Sequence, residues 1–121
     1  MRFSPQIPPM SFAMLQKLFA RKSPADRRAH RRVYDRPIAV RLEDKAYKTL
    51  DWSLGGFRIN GYHRELAVGV RLAGTIGPVN GARAGECLVE VVRLTDNGDV
   101  GLKFIEISPK VFVAMAGLKS N

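Results

Sequence analysis

From Ile38 onward, apolar residues alternate with polar ones in short runs separated by turn residues, and this pattern leaves little freedom of fold class. Ile38, Val40 and Leu42 alternate with Ala39 and Arg41, as in a half-buried strand. Further strands are expected over 46–52, 56–59, 68–76, 87–95 and 100–107. The turns between them come from Asn60-Gly61, Gly77-Pro78 and the run Asp96-Asn97-Gly98-Asp99. Ser108-Pro109 opens a terminal helix, because proline suits the first helical position, and Val111, Met115 and Leu118 supply its buried stripe. The expected class is all-β: a small six-stranded antiparallel barrel with a C-terminal helix and a short N-terminal extension. Closure would remove exposed strand edges, which a chain this short must otherwise protect.

The N-terminal quarter follows different rules. Residues 1–9 read as a flexible lead-in. Phe12, Leu15 and Phe19, with Met14 and Leu18, are spaced for one face of a short helix over 10–19 that Ser11 can cap. That face is expected to pack on the domain or on a twin chain, ahead of a membrane or partner contact. Residues 20–36 are charged and lack apolar periodicity, which predicts a loop. The division is thus an extension over 1–25 and a folded domain over 26–121, with the barrel reaching about 108 and the helix about 109–118.

Composition narrows function. The 121 residues suit one domain with a modest core, and a single cysteine, Cys87, rules out an internal disulfide framework. No apolar run approaches the ~20 residues needed to cross a bilayer. Pro5, Pro8 and Pro9 interrupt any leader-like core, so a cytoplasmic location is expected. The net charge is +9 and is concentrated, with Arg21, Lys22, Arg27, Arg28, Arg31, Arg32 and Arg36 facing only Asp26 and Asp35. Such a focus favours a compact anionic ligand over an extended nucleic-acid track. Trp52 and the tyrosines form no interleaved stacking row, which also argues against nucleic acid. His30, His63 and Cys87 lack the spacing of metal ligands. Ser53 has no histidine at a recognisable triad offset, no phosphate-cradling glycine loop follows a strand into a helix, and carboxylates are dispersed. No enzyme, metal or cofactor is expected.

Two motifs carry a function. Asp26-Arg27-Arg28-Ala29-His30-Arg31-Arg32-Val33 is followed about twenty residues later by Asp51-Trp52-Ser53-Leu54-Gly55-Gly56-Phe57. On a strand, Asp51 and Ser53 share a face while Trp52 points the other way, as a core residue would. The pair of motifs resembles the PilZ domain family of bacterial cyclic di-GMP receptors. That family is marked by Arg-x-x-x-Arg and then Asp/Asn-x-Ser-x-x-Gly. Gly101-Leu102-Lys103-Phe104 resembles its closing barrel strand, so the similarity spans roughly 26–108. The specificity of the resemblance comes from both motifs occurring in this order and at this separation.

The resemblance implies a cyclic di-GMP site at Arg27, Arg28, Arg32, Asp51, Ser53 and Gly56. The spacing also fits Arg27/Arg31 and Arg32/Arg36. In the family, however, the second arginine precedes an apolar residue, and Val33 follows Arg32. An arginine just before the motif, here Arg27, implies an intercalated pair of ligand molecules. The chemistry is apt: a flat guanidinium can grip phosphate oxygens, pair with guanine O6 and N7, and stack on a base. A carboxylate can accept from guanine N1–H and N2–H₂, and Gly56 admits close approach. The implied protein is a receptor or adaptor whose arginine loop orders on binding and repositions the 10–20 helix. It would signal to a downstream protein, through a surface or by self-association, in processes such as motility or biofilm regulation. The competing readings are a nonspecific nucleic-acid binder and a nucleotide-independent PilZ-like adaptor.

Overall fold

A computed structural model describes residues 8–18 and 32–119. In chain order the elements are β1 (Met10–Ser11), α1 (Phe12–Leu18), β2 (Ala39–Leu42), β3 (Lys45–Lys48) and β4 (Asp51–Ser53). They continue with β5 (Gly56–Asn60), β6 (Arg71–Ile76), β7 (Gly85–Leu94), β8 (Asp99–Ile107) and α2 (Pro109–Lys119). All pairing is antiparallel, in the order β3-β2-β6-β7-β8-β5-β4, with β1 added to β8.

The two ends of this ladder belong to one piece of chain. Thr49 N–H donates to Ile38 O beside β2 (3.0 Å), and the next amide, Leu50 N–H, donates to Arg58 O on β5 (2.8 Å). Consecutive residues therefore pair with opposite neighbours, and the sheet curls back on itself. Two register shifts between β7 and β8 strengthen the curl, as an extra residue on one strand bends it.

The strand expected over 46–52 is accordingly two strands. Tyr47 on β3 and Thr49 just after it face inward, yet Trp52 faces inward on β4, so the alternation slips by one residue at Leu50–Asp51. Among the described residues there are eight strands rather than six. Counting β3 and β4 as one bent strand and setting aside the two-residue β1 recovers the expected barrel. The strand expected from 68 starts only at Arg71, because Val70 N–H closes a turn onto Ala67 O (3.1 Å) around the positive-φ Gly69.

The core is one apolar cluster in which Trp52, Phe57, Leu42, Ile59, Ile76, Val89, Val91 and Ile107 are fully enclosed. Val111, Phe112, Ala114 and Met115 of α2 join it, while Leu118 is half-buried at its rim. Cys87 is a core residue, and burial pushes its thiol up to about 12. At the other end, Ser11 Oγ accepts from Met14 N–H (3.2 Å), the cap expected for α1. The α1 helix docks on the domain, with Leu15 buried and Phe12 against Phe104 and edge-on to Phe112. Phe19, expected on the same face, lies outside the described residues.

Candidate ligand-binding site

Strands β4 and β5 form a hairpin whose two connecting residues are Leu54 and Gly55, with Gly55 N–H donating to Ser53 Oγ (3.2 Å). This tight turn fixes the pairs Asp51/Arg58, Trp52/Phe57 and Ser53/Gly56. Trp52 and Phe57 point into the core, so strand alternation directs Asp51, Ser53 and Arg58 to the outer face. Trp52 holds its place through both packing and polarity, for its Nε1–H donates to Arg36 O (2.7 Å).

On the other side of β4 runs the segment entering the barrel. Val33 and Trp52 form an antiparallel bridge. That register sets Arg32 beside Ser53 and Tyr34 beside Asp51, both on the outer face. The geometry delivers Arg32 to the carboxylate. Arg32 Nε–H donates to Asp51 Oδ1 (2.9 Å), its Nη2 donates to the same oxygen, and its Nη1 reaches Ser53 Oγ (3.3 Å). From the opposite side, Arg58 donates through Nε (2.8 Å) and Nη2 (2.6 Å) to Asp51 Oδ2. Its Nη1 continues to Asp99 Oδ2 (2.8 Å), and Asn60 Nδ2 donates to Asp99 Oδ1 (2.7 Å).

Asp51 is thus a carboxylate clasped between two guanidiniums. It is 3% exposed and Ser53 is 1% exposed, whereas both arginine side chains keep 37% of their surface open. Burial alone would raise the Asp51 pKa. The hydrogen bonds from Arg32 and Arg58, together with their charges, outweigh that and hold it below the ordinary carboxylate value. Arg58 is raised in turn, chiefly by its hydrogen bonds to Asp51. The outer face therefore presents two partly exposed guanidiniums whose charges are matched by the buried Asp51 and by Asp99.

Of the expected site residues, Arg32, Asp51 and Ser53 form one contact cluster. Gly56 lies on the same face, opposite Ser53. It also has a local structural reason to be glycine: a Cβ there would fall 2.0 Å from Leu102 O on β8. Arg27, Arg28 and Arg31, and the expected loop before Arg32, lie outside the described residues. Arg58 and Asp99 escaped the sequence reading. A two-residue turn at Leu54-Gly55 would have revealed Arg58, since counting back from that turn places it opposite Asp51. Asp99 required the long-range pairing of β5 with β8. Among the described residues, no cluster of histidine, cysteine or carboxylate groups could hold a metal ion, and no helix is long and apolar enough to cross a membrane.

A curled antiparallel barrel bearing an arginine–carboxylate–serine cluster defines a ligand-binding module. The PilZ domain profile matches residues 25–115, and the chain belongs to the PilZ domain family, whose members serve as cyclic di-GMP receptors and adaptors. No curated protein matches the chain.

Proposed function

We propose that this protein is a cyclic di-GMP receptor that binds the dinucleotide over the outer face of β4 through Arg27, Arg28, Arg32, Asp51, Ser53 and Gly56. One observation carries the reading: Arg32, Asp51 and Ser53, from both family motifs, meet in a single hydrogen-bonded cluster. The arginines grip phosphate and guanine edges, and Asp51 and Ser53 serve the base. Arg27 adds a further planar cation for a second, intercalated ligand.

Signal transfer has a direct route. Residues 19–31 join the end of α1 to Arg32. A ligand that orders the Arg27–Arg32 stretch pulls on a helix seated on β8 by Leu15 and Phe12, and so changes the surface offered to a partner protein.

Titration calorimetry with cyclic di-GMP tests both affinity and stoichiometry. Charge-assisted hydrogen bonds contribute about 1.5–3 kcal/mol each, so Arg28→Ala and Arg32→Ala should each weaken binding about tenfold to over a hundredfold. Two ligands per chain would support the intercalated pair, and one would remove it. No saturation by the unaltered chain, or capture of long RNA with steep salt dependence in its place, would overturn the receptor reading.

A further inference from the structure

The Asp51 carboxylate has no acceptor capacity left. Two oxygens offer about four lone-pair sites, and four N–H groups occupy them: two from Arg32 on Oδ1 and two from Arg58 on Oδ2. A guanine edge, with its N1–H and N2–H₂ donors, can reach Asp51 only if one arginine lets go.

The two arginines are not equally replaceable. Arg58 stands inside β5, whose backbone is paired on both sides, with β4 and with β8. Its third contact, to Asp99, is itself braced, because Asp99 accepts from Asn60 Nδ2 and its N–H donates to Thr95 Oγ1 (3.1 Å). Arg32 sits just outside the ladder, beside the isolated Val33/Trp52 bridge, and among the described residues its remaining contact is the long one to Ser53 Oγ. Guanine donors also resemble a guanidinium edge: two N–H groups side by side in one plane.

We propose that Arg58 is a positioning residue for base recognition. Arg32 surrenders Asp51 to the guanine edge and turns its charge to phosphate, while Arg58 keeps the carboxylate ionised and aimed. This rests on the receptor reading above. Selectivity follows, since an adenine edge pairs its N6–H₂ donor with the N1 acceptor, and a fixed, ionised carboxylate repels that acceptor. Without Arg58, the carboxylate loses its aim when Arg32 leaves, and discrimination between the bases fades.

The test compares cyclic di-GMP with cyclic di-AMP, which carry the same charge, on the full chain and on Arg58→Met and Arg58→Lys, with melting curves as the fold control. Arg58→Met is expected to weaken cyclic di-GMP at least tenfold and to leave the weaker cyclic di-AMP affinity within about twofold. Arg58→Lys, lacking the fork, should restore only part of the ratio. Equal loss of both dinucleotides, or loss of neither, would overturn the proposal while the receptor reading stands. If the unaltered chain fails to bind cyclic di-GMP, the reading itself falls and takes the proposal with it. Should Arg58→Met not fold, NMR of the unaltered chain decides. Arg58 Nε–H must keep its Asp51 bond on saturation while Arg32 Nε–H loses its own, and persistence of the Arg32 bond in the saturated complex would sink the idea.

Discussion

Val33 and Trp52 exchange both of their backbone hydrogen bonds, at 2.6 and 3.0 Å, and this one pair brings the arginine motif to the Asp-x-Ser motif. Side chains on either side of Val33 then fall on the outer face, and Arg32 reaches Asp51 without leaving an extended backbone. Val33→Pro removes the donor N–H and restricts Arg32 as well. We expect binding of cyclic di-GMP to fall at least tenfold while the melting temperature drops by only a few degrees, since the bridge lies at the margin of the sheet. Calorimetry and thermal melting on the same variant check the pair of outcomes, and unchanged affinity would show that the bridge does not deliver Arg32.

Replacing Gly56 strikes the fold itself. An added Cβ would lie 2.0 Å from Leu102 O and 2.9 Å from Lys103 Cα, both rigid backbone. Gly56→Ala should therefore cost at least about 2–3 kcal/mol, as other overpacked cores do. Gly74→Ala is the matched control, for its Cβ would fall 2.1 Å from Arg41 O on the β2–β6 pair. Urea unfolding should show similar losses for both variants. Stability retained by Gly56→Ala alone would shift the explanation for this glycine from strand packing to ligand approach.

The Asp51 clasp makes a signed prediction for acid stability. Although burial opposes it, the two arginines hold the folded carboxyl below its ordinary value of 3.8. The folded state thus favours the ionised form. The resulting stabilisation is fully present above the unfolded value and disappears as pH falls through the depressed one. The stability gap between the native chain and Asp51→Asn should be flat from about pH 5 to 7 and shrink below about pH 4. Denaturant titrations across that range read the gap, and a gap that widened on acidification would contradict the clasp.

Cys87 should be chemically silent. It is enclosed between β6 and β8, and burial pushes its thiol up to about 12. Native protein at about pH 8 should resist iodoacetamide, and unfolding in guanidinium should release one reactive thiol. Fast labelling of the native chain would place Cys87 outside the core.

The fold was legible where period-two alternation was strong. Val89 and Val91 on β7, and Leu102 and Phe104 on β8, lie inward as their spacing requires. The helix opened by Pro109 and the Ser11 cap also sit where local chemistry put them. The 46–52 run was misread because its apolar spacing contains two inward registers, one led by Tyr47 and the other by Trp52. Propensity has no term for the closing of a sheet. Part of the candidate site was legible as well, since both motifs are local strings and Arg58 follows from the tight Leu54-Gly55 turn, whereas Asp99 needed the long-range pairing of β5 with β8.

Local residue order by itself determined the β class, the turns, the terminal helix and the Arg/Asp/Ser chemistry, because each depends on neighbours a few residues apart. Only the tertiary structure decided what surrounds Asp51. Closing the barrel pairs Thr49 and Leu50 with opposite neighbours, and the β4–β5 pairing sets Arg58 directly across from Asp51. Arg32, delivered by the Val33/Trp52 bridge, and Arg58, across the β4–β5 pair, then surround it, because a buried carboxylate without such partners would be costly.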